Sequence, residues 1–216
     1  SDFEAIGEEA FAPPSSTDSF AVAWLEENHF GDLLLQLGAR IERVSIDASD
    51  NVIGFSDHLH NQDHESVSFE QQNFNPFSSS IGLVWDYSSG YNIGLSLAVS
   101  QRAPSAAELF SFGPHIGTST FEVGAMFDLS LEKSLEGDEE IHVELSPHSP
   151  EVETSYSFDL TWRKFEGDFG FVLSAFYNHV EDYYYQKDTG LFFKDEHDGE
   201  HEEVGLPILI YQQANV

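Results

Sequence analysis

Histidine and carboxylate side chains crowd into two short stretches of this 216-residue chain. The first holds Asp57, His58, His60, Asp63, His64 and Glu65, and the second holds Glu196, His197, Asp198, Glu200, His201 and Glu202. Imidazole nitrogen and carboxylate oxygen together suit Zn²⁺ and other divalent first-row metals. His60 and His64 share a face if their stretch is helical, and His58 and His60 share one if it is extended. His197 and His201 have the i,i+4 spacing that sets two ligands on one helix face. Their order, His-Asp-Gly-Glu-His, is not the His-Glu-x-x-His of zinc proteases, and Gly199 disfavours a stable helix. The chemical reading is a pair of metal-collecting loops, with Asp57, Asp63 and Glu200 supplying oxygen ligands. The bland alternative is a solvated polar loop in each case. His115, after Gly113-Pro114, is a third candidate ligand, set against a histidine that merely packs a loop.

Charge bounds the partners. Lys and Arg total 8 against 39 Asp and Glu, a formal charge of −31. Nucleic acid is excluded as a partner, because phosphate contacts dominate such affinity and need a basic surface. An acidic surface concentrates any cation, so charge alone names no metal. With no Cys, disulfides, thiolate sites and Cys nucleophiles are ruled out. No Gly-x-Ser-x-Gly or phosphate loop appears, and no enzyme is expected. The 19 Phe, 8 Tyr and 3 Trp argue against disorder. No apolar run approaches the ~20 residues of a membrane helix, but a barrel strand needs only ~9–11 residues of alternation. The first residues, SDFEAIGEEAF, carry no leader, so a signal peptide is expected to have been removed or the chain to be a piece of something longer.

Alternation is what the elements show. In residues 91–100, Tyr91, Ile93, Leu95, Leu97 and Val99 alternate with Asn92, Gly94, Ser96, Ala98 and Ser100. One face is greasy and the other small and polar, which suits a strand between lipid and a wet lumen. Residues 18–28 place Phe20, Val22 and Trp24 on one face. After a turn at Phe30–Asp32, residues 33–47 place Leu33, Leu35, Leu37, Ala39 and Ile41 together, with Gln36, Arg40 and Glu42 opposite. Residues 76–87 carry Ile81, Leu83, Trp85 and Tyr87; residues 152–163 carry Tyr156, Phe158, Leu160 and Trp162; residues 169–177 continue the pattern. Residues 1–17 predict a polar turn region in which Pro13-Pro14-Ser15-Ser16 forbids regular pairing. Residues 48–73 and 186–204 are long polar excursions, 118–145 holds short alternations, and 206–216 begins a last strand. Trp24, Trp85, Trp162 and Tyr183–Tyr185 are candidates for an interfacial aromatic girdle. Glu26, Glu27, Glu42 and Asp159 are expected at the lumen or rim. Short turns at one rim and long loops at the other are the asymmetry of outer-membrane barrels. The fold expectation is therefore all-β, part of a large antiparallel transmembrane β-barrel of about eight strands with long polar external loops.

At residues 101–115 the chain resembles the barrel domain of TonB-dependent outer-membrane receptors, most of all the zinc- and haem-associated branch. Gln101-Arg102-Ala103-Pro104 with Glu108-Leu109-Phe110 is similar to one family box. Gly113-Pro114-His115, Thr118 and Phe121-Glu122-Val123-Gly124 are similar to a second, and Leu129, Glu132 and Ser134 to a third. GEEAFAPPSST at 7–17 and LPILIYQQANV at 206–216 resemble segments that precede barrel strands. The Asn-Pro-Asn-Leu box of the family reads Ala125-Met126-Phe127-Asp128-Leu129 here, a departure that weakens a haem assignment. The resemblance implies one partial barrel domain over 1–216, with plug and barrel ends absent, embedded in the bilayer of a Gram-negative outer membrane. It implies uptake of a scarce metal ion or complex, zinc first, with haem or a siderophore as the alternative. The energy-coupling partner would be the TonB system, acting through the missing plug. No tightly bound cofactor is expected; zinc or haem would be cargo. The resemblance would place His115 near the external mouth. Arg102, one of only 8 basic residues, reads from its own surroundings either as paired with a lumen carboxylate and pinning the strand end or as orienting Glu108 or Glu122. From a different class, a secreted acidic β-sandwich binding Ca²⁺ or polysaccharide would bury the apolar faces of 81–87 and 91–99 under a second sheet.

Overall fold

The structure, a computed structural model, describes residues 1–3, 11–49, 51–53, 65–133, 139–193 and 205–216. The strands are β1 (Asp2–Phe3), β2 (Ser15–Phe30), β3 (Leu33–Ala48), β4 (Asn51–Ile53), β5 (Glu65–Val67), β6 (Gln72–Phe74), β7 (Phe77–Ser88) and β8 (Tyr91–Arg102). A single helical turn, α1 (Ala106–Phe110), is followed by β9 (Phe112–His115), β10 (Thr120–Val123), β11 (Phe127–Lys133) and β12 (Glu139–Leu145). The last elements are β13 (Glu153–Lys164), β14 (Phe171–Glu181), β15 (Tyr183–Phe193) and β16 (Leu206–Ala214).

The principal sheet is eight-stranded and antiparallel, ordered β1-β2-β3-β7-β8-β13-β14, with β6 paired to β3 off that path. Three short connections, β2–β3, β7–β8 and β13–β14, lie at one end. Gly31 and Gly90 have φ of 62° and 72°, in the left-handed region that a tight turn demands and L residues avoid. The β7–β8 and β13–β14 turns also hold each other: Phe165 N–H donates to Gly90 O at 2.8 Å, and Ser89 Oγ donates to Glu166 Oε2 at 2.8 Å.

Register lines up the alternating residues across the sheet. Leu33, Trp85, Ile93 and Trp162 form one cross-strand row, and Leu37, Ile81, Leu97 and Phe158 another. These side chains stay uncovered: Ile81 is 39%, Trp85 53%, Leu97 43% and Trp162 42% exposed. No described residues form a second sheet over this face, so the β-sandwich expectation fails. Several hundred Å² of contiguous apolar surface needs an apolar neighbour, and period-2 alternation supplies a wall that meets hydrocarbon. Near the turns, Trp162 Nε1 donates to Tyr87 Oη at 2.8 Å, the geometry of an interfacial aromatic belt. The opposite face is mostly polar and internally bonded, although Leu25, Val172 and Phe176 stand exposed on it. Gln36 Nε2 reaches Glu27 Oε2 at 2.8 Å, Arg40 pairs with Glu42 at 2.9 Å, and Asn178 Oδ1 accepts from Ser155 and Ser157.

The buried core does not lie along the middle of this sheet. It sits at the end away from the short turns, in a cap built from α1 and β9–β12 with β15 and β16. Along β3 the face that carries Gln36, Arg40 and Glu42 becomes Val44, Ile46 and Ala48 near the cap, and all three are buried with Leu109, Phe110, Phe74 and Tyr184. The cap therefore packs on the polar side of the wall. Its second cluster joins Phe112, Phe121, Val123 and Phe127 to Ile208 and Ile210, and Phe69 touches both clusters.

Residues 206–216 form the last strand, as expected: β16 pairs with β15 and runs parallel to β10 in the cap. Three expectations are corrected here. Ser15 and Ser16 do pair, with Phe3 and Asp2 and with β3, because the prolines end before them and serine retains its N–H. Tyr183–Tyr185 form no girdle, since they begin β15 and Tyr184 is buried, with its hydroxyl donating to Glu151 O at 2.8 Å. Glu26 sits on the apolar face, in register with Leu37, where Asn28 Nδ2 donates to its Oε1 at 3.0 Å.

In vesicles with brominated acyl chains, fluorescence from Trp24, Trp85 and Trp162 should be quenched, while aqueous iodide leaves it unchanged. Quenching by iodide alone would place the face in water.

Candidate functional site

β8 leaves the wall at Arg102, and Ala103-Pro104 ends it because proline offers no ladder N–H. Ser105 then caps α1: its Oγ accepts from Glu108 N–H at 3.2 Å, and its own N–H donates to Glu108 Oε2 at 2.7 Å, a complete capping box. Arg102 grips the same carboxylate with both arms, Nη1 to Oε2 at 2.8 Å and Nη2 to Oε1 at 3.1 Å, while Nη2 also reaches Glu153 Oε2 at 2.8 Å. Strand β8, helix α1 and strand β13 are thus fixed by one guanidinium. Burial pushes Glu108 upward, but the bonds from Arg102 and Ser105 outweigh it and hold the carboxyl below its ordinary range.

After α1 the chain turns into the β9–β10 hairpin. Gly124, next in line, donates to Ser111 O at 2.6 Å, and Ala125 donates to Glu108 O at 2.8 Å. A Cβ at Gly124 would overlap the Leu109 carbonyl, so only glycine admits this crossing.

The hairpin pairs His115 with Thr120 and Gly113 with Glu122, which makes His115 and Glu122 diagonal neighbours on one face. Glu122, 3% exposed, meets His115 Nδ1 at 2.7 Å. Phe11 stacks on the imidazole at 4.4 Å. Nδ1 is thereby engaged and the ring fixed, Nε2 lies beside Gly117, and the side chain is 35% exposed. Metal-ligating histidines are commonly oriented by a carboxylate on their other ring nitrogen. On the neighbouring strand, burial and then the Glu122 charge push the Tyr211 phenol up, keeping it neutral.

Of the sequence candidates, His115 alone lies among the described residues. Asp57, His58, His60, Asp63 and His64, with His197, Glu200 and His201, lie outside them. Among the described residues no cluster of three or more His, Asp or Glu gathers around a common point. Arg102 takes Glu108, as expected, and Glu153 in place of Glu122. The role of Glu122 toward His115 was missed, although His115 and Glu122 flanking a short turn of Ile116–Ser119 was a readable signal. Phe11 and Tyr211 had none, because each arrives from a distant part of the chain.

Two outcomes follow from this geometry. Gly124→Ala should destabilise the cap by about 1–3 kcal/mol, seen as lost amide protection over 106–126 while the wall strands keep theirs. A carboxyl with depressed folded pKa stabilises above its unfolded value and loses that contribution as pH falls through the folded one. Cap protection should therefore weaken below pH 4.5, the ordinary glutamate value; Glu108→Gln should lower it at neutral pH and flatten that response.

Comparison with known proteins gives one positive finding. Residues 2–216 match the family described as TonB dependent receptor-like, beta-barrel. No curated protein sequence matches the chain. With an open antiparallel wall, an uncovered apolar face and a cap at its long-loop end, and with that match across nearly its full length, this chain belongs to the TonB-dependent receptor β-barrel family.

Proposed function

We propose that this barrel segment belongs to a receptor that takes up a divalent transition metal, zinc first, captured at the external end. The family is one of outer-membrane receptors and transporters, and it brings with it a TonB partner and a ligand. The observation that supports a metal is His115: Nδ1 is held by a buried carboxylate while the side chain stays 35% exposed, in the cap away from the short turns. Two protein ligands or fewer bind zinc weakly, so the remaining donors would come from the histidine- and carboxylate-rich stretches, His58, His60 and His64 with Asp57 and Asp63, and His197 and His201 with Glu200. The large negative charge raises the local cation concentration ahead of capture. Transport itself would need the plug and the TonB system; the residues here would bind and pass on the cargo.

The test is calorimetric titration of the full receptor with Zn²⁺, haem and Ca²⁺. Zinc should bind most tightly. Glu122→Gln should weaken it by about 10–100-fold, the usual effect of losing a carboxylate behind a ligating histidine, and His115→Ala by more. His58/His60/His64→Ala should weaken it as well. Zinc affinity unchanged in His115→Ala would remove the hairpin from the site, and haem binding unaccompanied by zinc binding would overturn the proposal.

A further inference from the structure

β14 ends on two groups with metal-ligand chemistry. His179 and Glu181 are two residues apart on the strand, so both stand on the outward face of the wall. Tyr156 of β13 lies directly opposite His179, and Thr154 opposite Glu181. Both side chains can be reached from outside, His179 being 38% and Glu181 46% exposed. They sit at the cap end of the wall, because Thr154 follows Glu153, the residue that Arg102 holds.

A histidine beside a carboxylate ordinarily closes into a hydrogen bond, as His115 and Glu122 do at 2.7 Å. His179 Nε2 and Glu181 Oε1 stand 3.9 Å apart instead. The carboxylate is drawn off by Tyr156, whose hydroxyl donates to its other oxygen, Oε2, at 3.3 Å. The backbone between the two residues is held from both sides. Val180 is in register with Ser155 of β13, and on its other edge it exchanges two hydrogen bonds with Val216, at 2.7 and 2.8 Å. Asp182 then turns the chain away at a φ of 54°, its N–H donating to Asn215 Oδ1 at 3.2 Å. A gap of 3.9 Å is too long for a hydrogen bond. It suits two ligands of one ion: donors ~2.1 Å from a common centre are ~3.4 Å apart at the tetrahedral angle and ~4.2 Å apart when opposed.

We propose that His179 Nε2 and Glu181 Oε1 bind a divalent first-row transition ion on the outer wall, with water completing its coordination. Tyr156 is the positioning residue, fixing the carboxylate from behind as partners of metal-ligating groups do. The carboxylate calls for a cation, and the imidazole selects against Ca²⁺ and Mg²⁺, which take oxygen ligands. The cap packs on the polar side of the sheet, so an ion here is separated from His115 by the wall itself. It ties β13 to β14 at the wall boundary and is not cargo on the inner side. The site does not depend on the uptake reading.

The experiment is a distance measurement by pulsed dipolar electron spin resonance on the full receptor in detergent micelles. The probe is Cu²⁺, which such ligands bind most tightly among first-row divalent ions. A nitroxide goes on Ala39→Cys, in a chain that has no competing Cys. Ala39 shares the cross-strand row of Tyr156 and His179, four strand spacings away, about 19 Å at ~4.8 Å each. A copper–nitroxide distance near that value should appear in the labelled protein and vanish in His179→Ala and in Glu181→Ala. Tyr156→Phe should raise the copper concentration needed by about 10–100-fold. His115→Ala and excess Ca²⁺ should leave the distance in place. If His179→Ala fails to insert, as judged by heat-modifiable gel mobility, His179→Gln replaces it with the same expected loss. No such distance in the labelled protein, its survival without His179, or its loss in His115→Ala or to Ca²⁺ would each overturn the site. An unchanged copper requirement in Tyr156→Phe would overturn the positioning role.

Discussion

One guanidinium joins the two parts of this molecule. Arg102 ends a membrane-facing strand, caps the carboxylate that caps α1, and reaches across to the neighbouring strand at Glu153. In a chain with 39 acidic and 8 basic residues, a cation held by two carboxylates is scarce, and this one is placed where wall gives way to cap. Removing it would leave Glu108 and Glu153 facing each other over a half-buried helix start, the costly half of breaking a charge pair. The helix it secures then presents Leu109 and Phe110, fully buried, to the inner side of β3. Gly124 crosses that helix and launches β11. The sequence around 101–124 is thus one mechanical joint, and its unusual residues each have a geometric duty.

The wall was legible because its physics is local. One face meets hydrocarbon and the other water, so period-2 alternation appears within each strand, and the residues expected outward, from Phe20 to Trp162, are outward. Short turns announced themselves through Gly31 and Gly90. The cap was not legible, because its strands are short and their partners distant. Nothing near Tyr184 says that it joins the buried cluster of Leu109 and Phe110, so its neighbours Tyr183 and Tyr185 suggested an interface belt instead. Glu26 was misplaced for a related reason: alternation gives its side, but acidic character argued for the lumen, and a single carboxylate hydrogen-bonded by Asn28 is tolerated on the apolar face.

The site divides the same way. His115 stood out by type, and its significance comes from Glu122, whose burial depends on strands that arrive far later in the chain. The hairpin sets their diagonal relation; the parallel pairing with β16 shields the carboxylate and so fixes the ring. A side chain's type and its orientation are separate pieces of information, and only the first was carried by local sequence.

The parallel pairing of β10 with β16 also governs time. Each wall hairpin closes over a few residues and can form as soon as its two strands exist, whereas Phe121 cannot meet Ile208 until β13, β14 and β15 have all been laid down. Long-range closure is entropically slow, and parallel pairing slower still. The wall should consequently assemble first and the cap last, so that the mouth remains open during insertion and the imidazole of His115 acquires its fixed orientation only once the barrel strands are already in the membrane.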